Sequence, residues 1–237
     1  MNSYFALRCS ALPATDPGLS PKAFGPADPF AAQRRIAWSG ADNMAVGRTR
    51  WDGKLSCEAF PHTELLIVEQ GRLTLEGAGA ALDVPAGEAA VIGRGTAVRI
   101  HAHDGTSWIF CVVSAAAPAA LLQPVDLAAE LKPSPPPAAD VLLTPEPQCR
   151  SHPALADSPA RTRIGLWDST PYTRKQVPHP VNELMYILEG KVTLTDRNGR
   201  ATEFGPGDCA FVPHLTTCSW HSAVNVRKLY CVQDFNA

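Results

Sequence analysis

The chain has 237 residues, of which 45% are hydrophobic, and it carries a formal net charge of −2 at pH 7. A near-neutral chain without a basic run is not expected to bind nucleic acid or an anionic membrane. Because no apolar stretch reaches the roughly 18 residues of a membrane span and no signal peptide is visible, we expect a cytoplasmic protein. The seven cysteines are scattered and form no Cys-x-x-Cys motif, which favours reduced thiols.

The distribution of proline, glycine and strand-like runs divides the chain into four segments. Residues 1–33 are rich in Pro, Gly and Ala, and we interpret them as an extended N-terminal arm or, equally, a poorly ordered terminus. Residues 34–114 contain many short strands and turns, typical of a sandwich or barrel. Residues 115–147 form a semi-rigid, Pro/Ala-rich connector with at most a short helix around 125–131. Residues 148–237 return to strands and turns.

The two strand-rich segments are repeats of one another. Glu64 is followed seven residues later by Gly71, and Glu183 is followed at the same distance by Gly190. Other matches follow in the same order: Trp51-Asp52 with Trp167-Asp168, Pro61-His62 with Pro178-His179, Gly87 with Gly207, and Cys111-Val112 with Cys231-Val232. This series predicts a duplicated fold, and the period-two alternation within each run predicts sheets with one face turned inward.

The later copy carries two short motifs. His179 lies four residues before Glu183 and Gly190 lies seven residues after it, while Gly207 precedes Pro213 by six residues. These residues and spacings resemble the cupin family. The resemblance covers nearly all of both strand-rich segments, and it implies an all-β fold. That fold consists of two tandem cupin (jelly-roll) β-barrels in one chain, a bicupin, joined by the Pro/Ala-rich connector.

Two ligand positions of the cupin pattern have changed. Val177 stands where the pattern has its first His, and Cys218 stands where it has its late His. His179 and Glu183 could still converge as imidazole and carboxylate ligands of a divalent metal, to which Cys218 would add a thiolate. The candidate metal is Mn, Zn, Fe or Ni, and a thiolate favours zinc over manganese. The alternative is a metal-free, buried His179–Glu183 pair.

Three more residues are candidates for the walls of a ligand pocket in the later barrel. Met185 shares a strand face with Glu183, and Trp220 shares one with Cys218. An indole there could stack on a planar ligand or pack in the core. Lys175 shares a strand face with Val177 and His179 by alternation, and it could extend towards the barrel mouth and meet an anionic substrate, or remain a solvated surface lysine.

The earlier barrel is expected to have a degenerate site and a supporting role. Phe60 stands at the distance from Glu64 at which the later copy has its histidine, and Val98 replaces the late ligand. This barrel is therefore predicted to be filled with apolar side chains. His101 and His103 resemble a metal motif in isolation, but they are expected to end a strand at the surface.

Within the cupins, the segments 183–190 and 226–230 resemble one branch. This branch contains the ethanolamine-utilisation cupin and is related to the (S)-ureidoglycine aminohydrolases, which use manganese in their C-terminal barrel. Carried over by position, the manganese ligands of those enzymes fall on four residues, of which only His179 keeps its ligand type: Val177, His179, Glu183 and Cys218. The resemblance therefore implies the architecture more strongly than the activity.

Two functions remain open at this stage. The first is a bicupin whose C-terminal barrel binds a small polar metabolite, with a metal-bound water or Glu183 as acid or base if it is an enzyme. The second is a non-catalytic metabolite sensor or structural assembly module. A metal-dependent dioxygenase or isomerase is least favoured because histidines are missing. The expected partner is a small-molecule ligand, with no nucleic acid and no membrane. Cupin sheets often pair between subunits, so a homodimer is one option, and pairing of the two barrels within one chain is the other.

Overall fold

The structure is a computed structural model that describes residues 3–12, 20–41 and 43–235. The strands in this part are, in chain order, β1 (Phe5–Arg8), β2 (Ser20–Pro21), β3 (Arg34–Ser39), β4 (Met44–Arg50), β5 (Gly53–Cys57), β6 (Thr63–Gln70), β7 (Arg72–Gly77), β8 (Ala80–Pro85), β9 (Ala89–Ile92), β10 (Val98–Ala102), β11 (Ser107–Val113), β12 (Leu122–Val125), β13 (Lys132–Ser134), β14 (Cys149–Asp157), β15 (Thr162–Ser169), β16 (Tyr172–Pro178), β17 (Asn182–Glu189), β18 (Val192–Asp196), β19 (Ala201–Phe204), β20 (Cys209–Val212), β21 (Thr217–Ser222) and β22 (Val226–Gln233). Two short 3-10 helices span Ala139–Val141 and Ser158–Ala160.

The chain divides into two compact units. The N-terminal barrel contains residues 20–41, 43–127 and 157–160 of the described chain, and the C-terminal barrel contains residues 3–12, 128–156 and 161–235. The predicted all-β architecture of two tandem jelly-roll barrels is confirmed. Nowhere in the described residues is there a helix long and apolar enough to cross a membrane.

The N-terminal barrel consists of a seven-stranded sheet, ordered β12-β9-β6-β11-β4-β3-β2, and a four-stranded sheet, ordered β5-β10-β7-β8. Their inward faces contribute to one apolar core that contains Phe60, Trp108 and Phe110. In the antiparallel pair β6–β11, Glu64 lies opposite Val112, and Leu66 lies opposite Phe110. Because alternate residues share a strand face, this register turns the Glu64 carboxylate into the apolar core.

The C-terminal barrel repeats this plan. Its seven-stranded sheet has the order β1-β20-β17-β22-β15-β14-β13, and its four-stranded sheet has the order β16-β21-β18-β19. Glu183 lies opposite Val232 on β22 and opposite Val212 on β20. Met185 and Ile187 follow on the same face of β17 and belong to the core. Each barrel therefore carries its glutamate on a central strand with the side chain directed inward.

The terminal arm and the connector contribute edge strands to these sheets. β1 pairs with β20, and the buried Tyr4 hydroxyl donates to Thr202 Oγ1 at 2.9 Å. β12 and β13, from the connector, end the seven-stranded sheets of the N-terminal and C-terminal barrel respectively. Edge strands tolerate proline, which lacks a backbone donor, so the connector can pair in spite of its composition. No helix forms at residues 125–131, and residues 1–2 and 13–19 of the expected arm lie outside the described residues.

Candidate functional site

A buried ionic cluster surrounds Glu64 in the N-terminal barrel. Arg34 on β3 donates to both Glu64 carboxylate oxygens at 3.0 and 2.7 Å, and its Nε donates to Asp28 at 2.9 Å. His62 Nε2 lies 3.1 Å from Glu64 Oε2 and 3.1 Å from Arg34 Nη2. The Trp108 indole donates to Glu64 Oε1 at 3.2 Å. Side chains from distant parts of the sequence thus converge on one carboxylate.

This Glu64 cluster is closed. Arg34 and Glu64 are each 0% exposed, and the guanidinium carbon lies 4.4 Å from the ring centroid of Phe110. Burial acts to raise the pKa of Glu64, but Arg34 and His62 outweigh it and lower that pKa to about 2. None of the four charged or titratable residues Asp28, Arg34, His62 and Glu64 has a buried side-chain nitrogen or oxygen without a hydrogen-bond partner. The arrangement is that of a structural core element.

A smaller cluster surrounds Glu183 in the C-terminal barrel, and we call His179, Glu183 and Lys228 the Glu183 cluster. Lys228 Nζ donates to Glu183 Oε1 at 2.8 Å, and His179 Nε2 lies 2.9 Å from Glu183 Oε2. The three residues are 7%, 8% and 7% exposed in the order His179, Glu183, Lys228. Burial acts to raise the pKa of Glu183, but the nearby Lys228 and His179 hold it well below its usual range.

Lys228 lies among two aromatic rings and one carboxylate. Its Nζ lies 4.8 Å from the ring centroid of Trp167 and 5.2 Å from that of Trp220. Aromatic faces attract cations, and the Glu183 carboxylate compensates the charge. The two copies align without gaps from Gly87 and Gly207 onwards, so Lys228 occupies the position of Trp108. Both side chains donate to Oε1 of their glutamate.

The position of His179 has an apolar counterpart in the N-terminal barrel. The backbone N–H of His179 donates to the Thr216 carbonyl, and the N–H of Phe60 donates to the Thr96 carbonyl in the same way. Phe60 therefore stands at the position of His179, as its spacing from Glu64 predicted. His62 lies two residues before Glu64, whereas His179 lies four residues before Glu183, so the two histidines contact their glutamates from different positions.

Cys218 does not belong to the Glu183 cluster. Its buried Sγ lies 3.8 Å from Arg174 Nη2, and Cys218 pairs across the sheet with Val177 on β16. Burial is the main cause that raises the pKa of the Cys218 thiol, and Glu183 adds to it. A neutral thiol is therefore favoured there, although the sequence suggested a thiolate ligand.

Trp220 and Met185, which the sequence suggested as pocket walls, are both buried in the core of the C-terminal barrel. Tyr172 stacks on Trp220 with ring centroids 5.6 Å apart and an interplanar angle of 16°. Trp167 contacts the same indole edge-on at 6.0 Å. Trp220 thus packs against neighbouring aromatic rings and against the Lys228 ammonium, and it supports the Glu183 cluster.

Lys175, the third expected pocket residue, is exposed. The register of β16 against β21 shifts between Arg174 and Val177, so the side chains do not alternate regularly along β16. Arg174 lies opposite the buried Trp220 and reaches the interior thiol of Cys218. A bulge thus turns the half-buried Arg174 towards the barrel interior, where strict alternation from the sequence had suggested Lys175.

The residues present do not fit a divalent metal. Across the described ranges, no three or more His, Cys, Asp or Glu side chains come together in a group that could hold a metal ion. The expected set of His179, Glu183 and Cys218 is divided, since Cys218 contacts Arg174 and the Lys228 ammonium binds one Glu183 oxygen. The chain supplies its own cation where a metal ion was expected.

Comparisons with known proteins agree with this architecture. The model of the EutQ-like cupin domain matches residues 159–230. A cupin 2 conserved barrel domain protein from Leptotrichia buccalis has a TM-score of 0.60 at 12% identity, covering 84% of this chain and 87% of its own. A putative glyoxylate-induced protein from Pseudomonas aeruginosa has a TM-score of 0.56 at 15% identity, covering 100% and 97%. At these identities the two structures support the fold alone, and that fold is a cupin.

One solved structure is much more similar. It is a protein of unknown function from Pseudomonas syringae pv. tomato str. DC3000, which belongs to the DUF861 family. It is 36% identical, has a TM-score of 0.94, and the match covers 98% of this chain and 100% of that one. The present chain therefore belongs to the DUF861 family. A search of the curated proteins found no match.

Proposed function

We propose that this protein is a metal-free bicupin whose C-terminal barrel binds a small polar metabolite at the Glu183 cluster. In this proposal the N-terminal barrel is a structural support whose Glu64 cluster closes its interior. Neither the metal chemistry of the ureidoglycine aminohydrolase branch nor a dioxygenase or isomerase activity is proposed, because His179, Glu183 and Cys218 do not form a ligand set. All seven cysteines are free, which fits a reducing compartment, and we propose the cytoplasm.

The observation that carries the proposal is a pair of buried polar atoms without partners in the C-terminal barrel. His179 Nδ1 and Thr216 Oγ1 are both buried and lack hydrogen-bond partners. Leaving such a group unsatisfied costs about 1–3 kcal/mol, so a bound molecule would provide a compensating partner. At the equivalent positions of the N-terminal barrel, Phe60 has no polar atom, and the Thr96 hydroxyl is bonded to backbone groups of two loops.

The inner strand positions of the C-terminal barrel are also more polar than those of the N-terminal barrel. β16 pairs with β21 as β5 pairs with β10, except that β16 has a register shift between Arg174 and Val177 that β5 lacks. Five inner positions are mostly polar or aromatic in the C-terminal barrel and apolar in the N-terminal barrel: Tyr172, Arg174, Cys218, Trp220 and Ser222, against Gly53, Leu55, Val98, Ile100 and Ala102. At these strand positions the C-terminal barrel therefore has hydrogen-bonding side chains that the N-terminal barrel lacks.

The test is a ligand screen followed by titration calorimetry on the full chain. Amino acids, carboxylic acids, ureido compounds and sugars would first be screened for an increase in melting temperature. A compound that binds the unmodified chain should lose most of its affinity for His179→Ala, because the imidazole contact is removed. The matched control is His221→Ala, which removes an exposed histidine from the same barrel and should leave binding unchanged.

Two results would refute the proposal. Equal affinity of the compound for His179→Ala and the unmodified chain would place its site elsewhere. A screen in which no compound raises the melting temperature would favour the structural alternative, in which Glu183 and Lys228 form a buried pair without a ligand. Elemental analysis of protein purified without an affinity tag tests the metal-free part, because about one bound metal per chain, lost in His179→Ala, would contradict it.

A further inference from the structure

We propose that the ligand of the C-terminal barrel is a small carboxylate, and that its carboxylate group binds the guanidinium of Arg174. This inference rests on the proposed function and deepens it by naming a ligand class and a second contact. Nothing in the cupin motifs singles out Arg174, because the residue lies outside both of them.

The first argument is the location of Arg174. It pairs across the sheet with Trp220, and Tyr172 pairs with Ser222, so the residues at 172 and 174 share a face with buried partners. Its Nη2 reaches the buried Cys218 Sγ at 3.8 Å.

The second argument is the missing counter-charge. The three Lys and Arg residues that are buried in the described part of the chain each face a carboxylate: Arg34 faces Asp28 and Glu64, Arg94 faces Asp157, and Lys228 faces Glu183. Arg174 has no carboxylate partner among the described residues. Its Nη2 has only the Cys218 carbonyl at 3.4 Å and Sγ as acceptors, and its buried Nε has no partner.

Arg174 is half-buried, and its Nε is buried, so part of the guanidinium has lost the water that would otherwise hydrate it without gaining a counter-charge. A ligand carboxylate would remove this cost. The edge formed by Nε and a terminal nitrogen of one guanidinium matches the two oxygens of a carboxylate, and such pairs are among the strongest hydrogen bonds in proteins. The Nε that lacks a partner is one half of that edge.

The third argument comes from the duplicated fold. In the N-terminal barrel, Ile100 stands at the position of Trp220, and its partner across the sheet is Leu55. Leu55 packs against the apolar core of that barrel. The same strand position therefore accepts a leucine in a closed barrel, so the fold does not require an arginine there. The charge at this position is specific to the barrel in which His179 Nδ1 and Thr216 Oγ1 lack partners.

These contacts define the shape of the ligand. Its carboxylate would face Arg174, and a second polar group, such as a hydroxyl, amino, ureido or keto group, would face the Glu183 cluster. The ligand would be compact, since Tyr172, Trp220 and Met185 fill much of the surrounding core. Phosphate also binds arginine, so the experiment must separate the two anions.

The experiment measures binding to the full chain at constant ionic strength. The probes are glycolate, glycine, malonate, pyruvate and hydantoate, the corresponding carboxamides, and inorganic phosphate. The variants are Arg174→Leu, which introduces the residue of the N-terminal barrel, and Arg197→Leu, which changes an exposed arginine in a hairpin turn of the same barrel. We expect at least one carboxylate to bind, and Arg174→Leu to weaken it roughly 10- to 100-fold. Arg197→Leu should leave the affinity unchanged.

The outcomes separate this inference from the proposed function. An amide that binds as tightly as its acid, or phosphate as the sole ligand, would overturn the carboxylate assignment. A carboxylate that keeps its affinity for Arg174→Leu but loses it for His179→Ala would overturn the role of Arg174 and leave the proposed function intact. If only neutral compounds bind, and they no longer bind to His179→Ala, the carboxylate assignment is overturned and the proposed function remains intact. An Arg174→Leu chain with an unchanged melting temperature shows that a loss of binding is not a loss of folding.

Discussion

Replacement of Arg34 by leucine is expected to destabilise the N-terminal barrel by about 3–5 kcal/mol, the usual cost of leaving a buried charge without its partner. The structure supports this magnitude independently. The pKa of Glu64 falls from 4.5 to about 2 in the folded barrel, chiefly because Arg34 outweighs burial. A difference of this size corresponds to roughly 3 kcal/mol of stability at neutral pH. The same substitution also removes the cation that faces Asp28.

The pH dependence of the stability of the N-terminal barrel should change sign in the Arg34→Leu variant. In the unmodified chain the folded pKa of Glu64 is depressed, so its contribution is fully present above pH 4.5 and is lost as the pH falls towards about 2. In Arg34→Leu the carboxylate stays buried without its cation, so its folded pKa should rise above the usual value. Protonation then favours the folded state, and the variant should recover stability as the pH falls from 7 towards 5.

Amide hydrogen exchange of β6 measures this effect within one barrel, because its amides exchange when the N-terminal barrel opens. The exchange free energy would be compared at pH 7 and pH 5 for both chains, after correction for intrinsic exchange rates. The matched control is Arg99→Leu, which removes an exposed pair with Glu76 and should cost less than about 1 kcal/mol. A loss in Arg34→Leu as small as in this control, with no recovery at pH 5, would refute the reasoning.

Three further predictions concern the C-terminal barrel. Lys228→Met should lower the urea-unfolding free energy by about 3 kcal/mol at pH 7 because it leaves Glu183 unpaired, whereas Lys228→Arg should retain most of the stability; equal losses would contradict an ion-pair effect. Cys218 is buried and its thiol has a raised pKa, so in the native chain it should resist iodoacetamide at pH 8 while the partly exposed Cys57 reacts. Peptide mass spectrometry measures the modification, and Cys218 modified before Cys57 would contradict this prediction. Tyr4→Phe should cost about 1 kcal/mol by the same unfolding assay, and an unchanged value would mean that the buried hydroxyl contributes nothing.

The duplicated fold was predictable because local chemistry marks its turns. Gly71 and Gly190 have φ values of +76° and +75°, a region that favours glycine. A Cβ on Gly190 would collide with the Asn225 carbonyl, and one on Gly71 would collide with Thr106. The spacing from each glutamate to its glycine therefore reports a strand of fixed length that ends in a tight turn, and this can be recognised without a structure.

Sequence identity between the copies does not always mean equal register. The Trp51-Asp52 and Trp167-Asp168 pairs are identical in sequence. Trp167 pairs across the sheet with Lys228. Trp108 is the residue that aligns with Lys228, and its partner across the sheet is Thr49 instead of Trp51. Trp51 and Trp167 thus differ by two residues in register, and Trp51 follows the end of β4. The displacement places Trp167 directly beside Lys228, where its ring faces the ammonium.

The partners of the two glutamates were beyond sequence analysis for a different reason. Arg34 reaches Glu64 from β3 and Lys228 reaches Glu183 from β22, so tertiary packing alone brings each pair together. The sequence did contain a signal for Lys228, because Lys228 aligns with Trp108, which is buried in the N-terminal barrel. Arg174 was hidden by the bulge in β16, because alternation from His179 pointed to its neighbour along the strand.

Both barrels neutralise the same inward glutamate with a cation from the chain, but with different consequences for a ligand. Arg34 brings a second carboxylate, Asp28, and its planar guanidinium is fully engaged in a closed core. Among the described residues, Lys228 faces Glu183 without a second carboxylate, and Nδ1 of the neighbouring His179 has no hydrogen-bond partner. A cation fixed by the fold is present before any ligand arrives and cannot be removed by a chelator. A small anion that enters this barrel would therefore meet a positive charge at Arg174 that no protein carboxylate compensates, and this uncompensated charge favours anions over neutral analogues of the same shape.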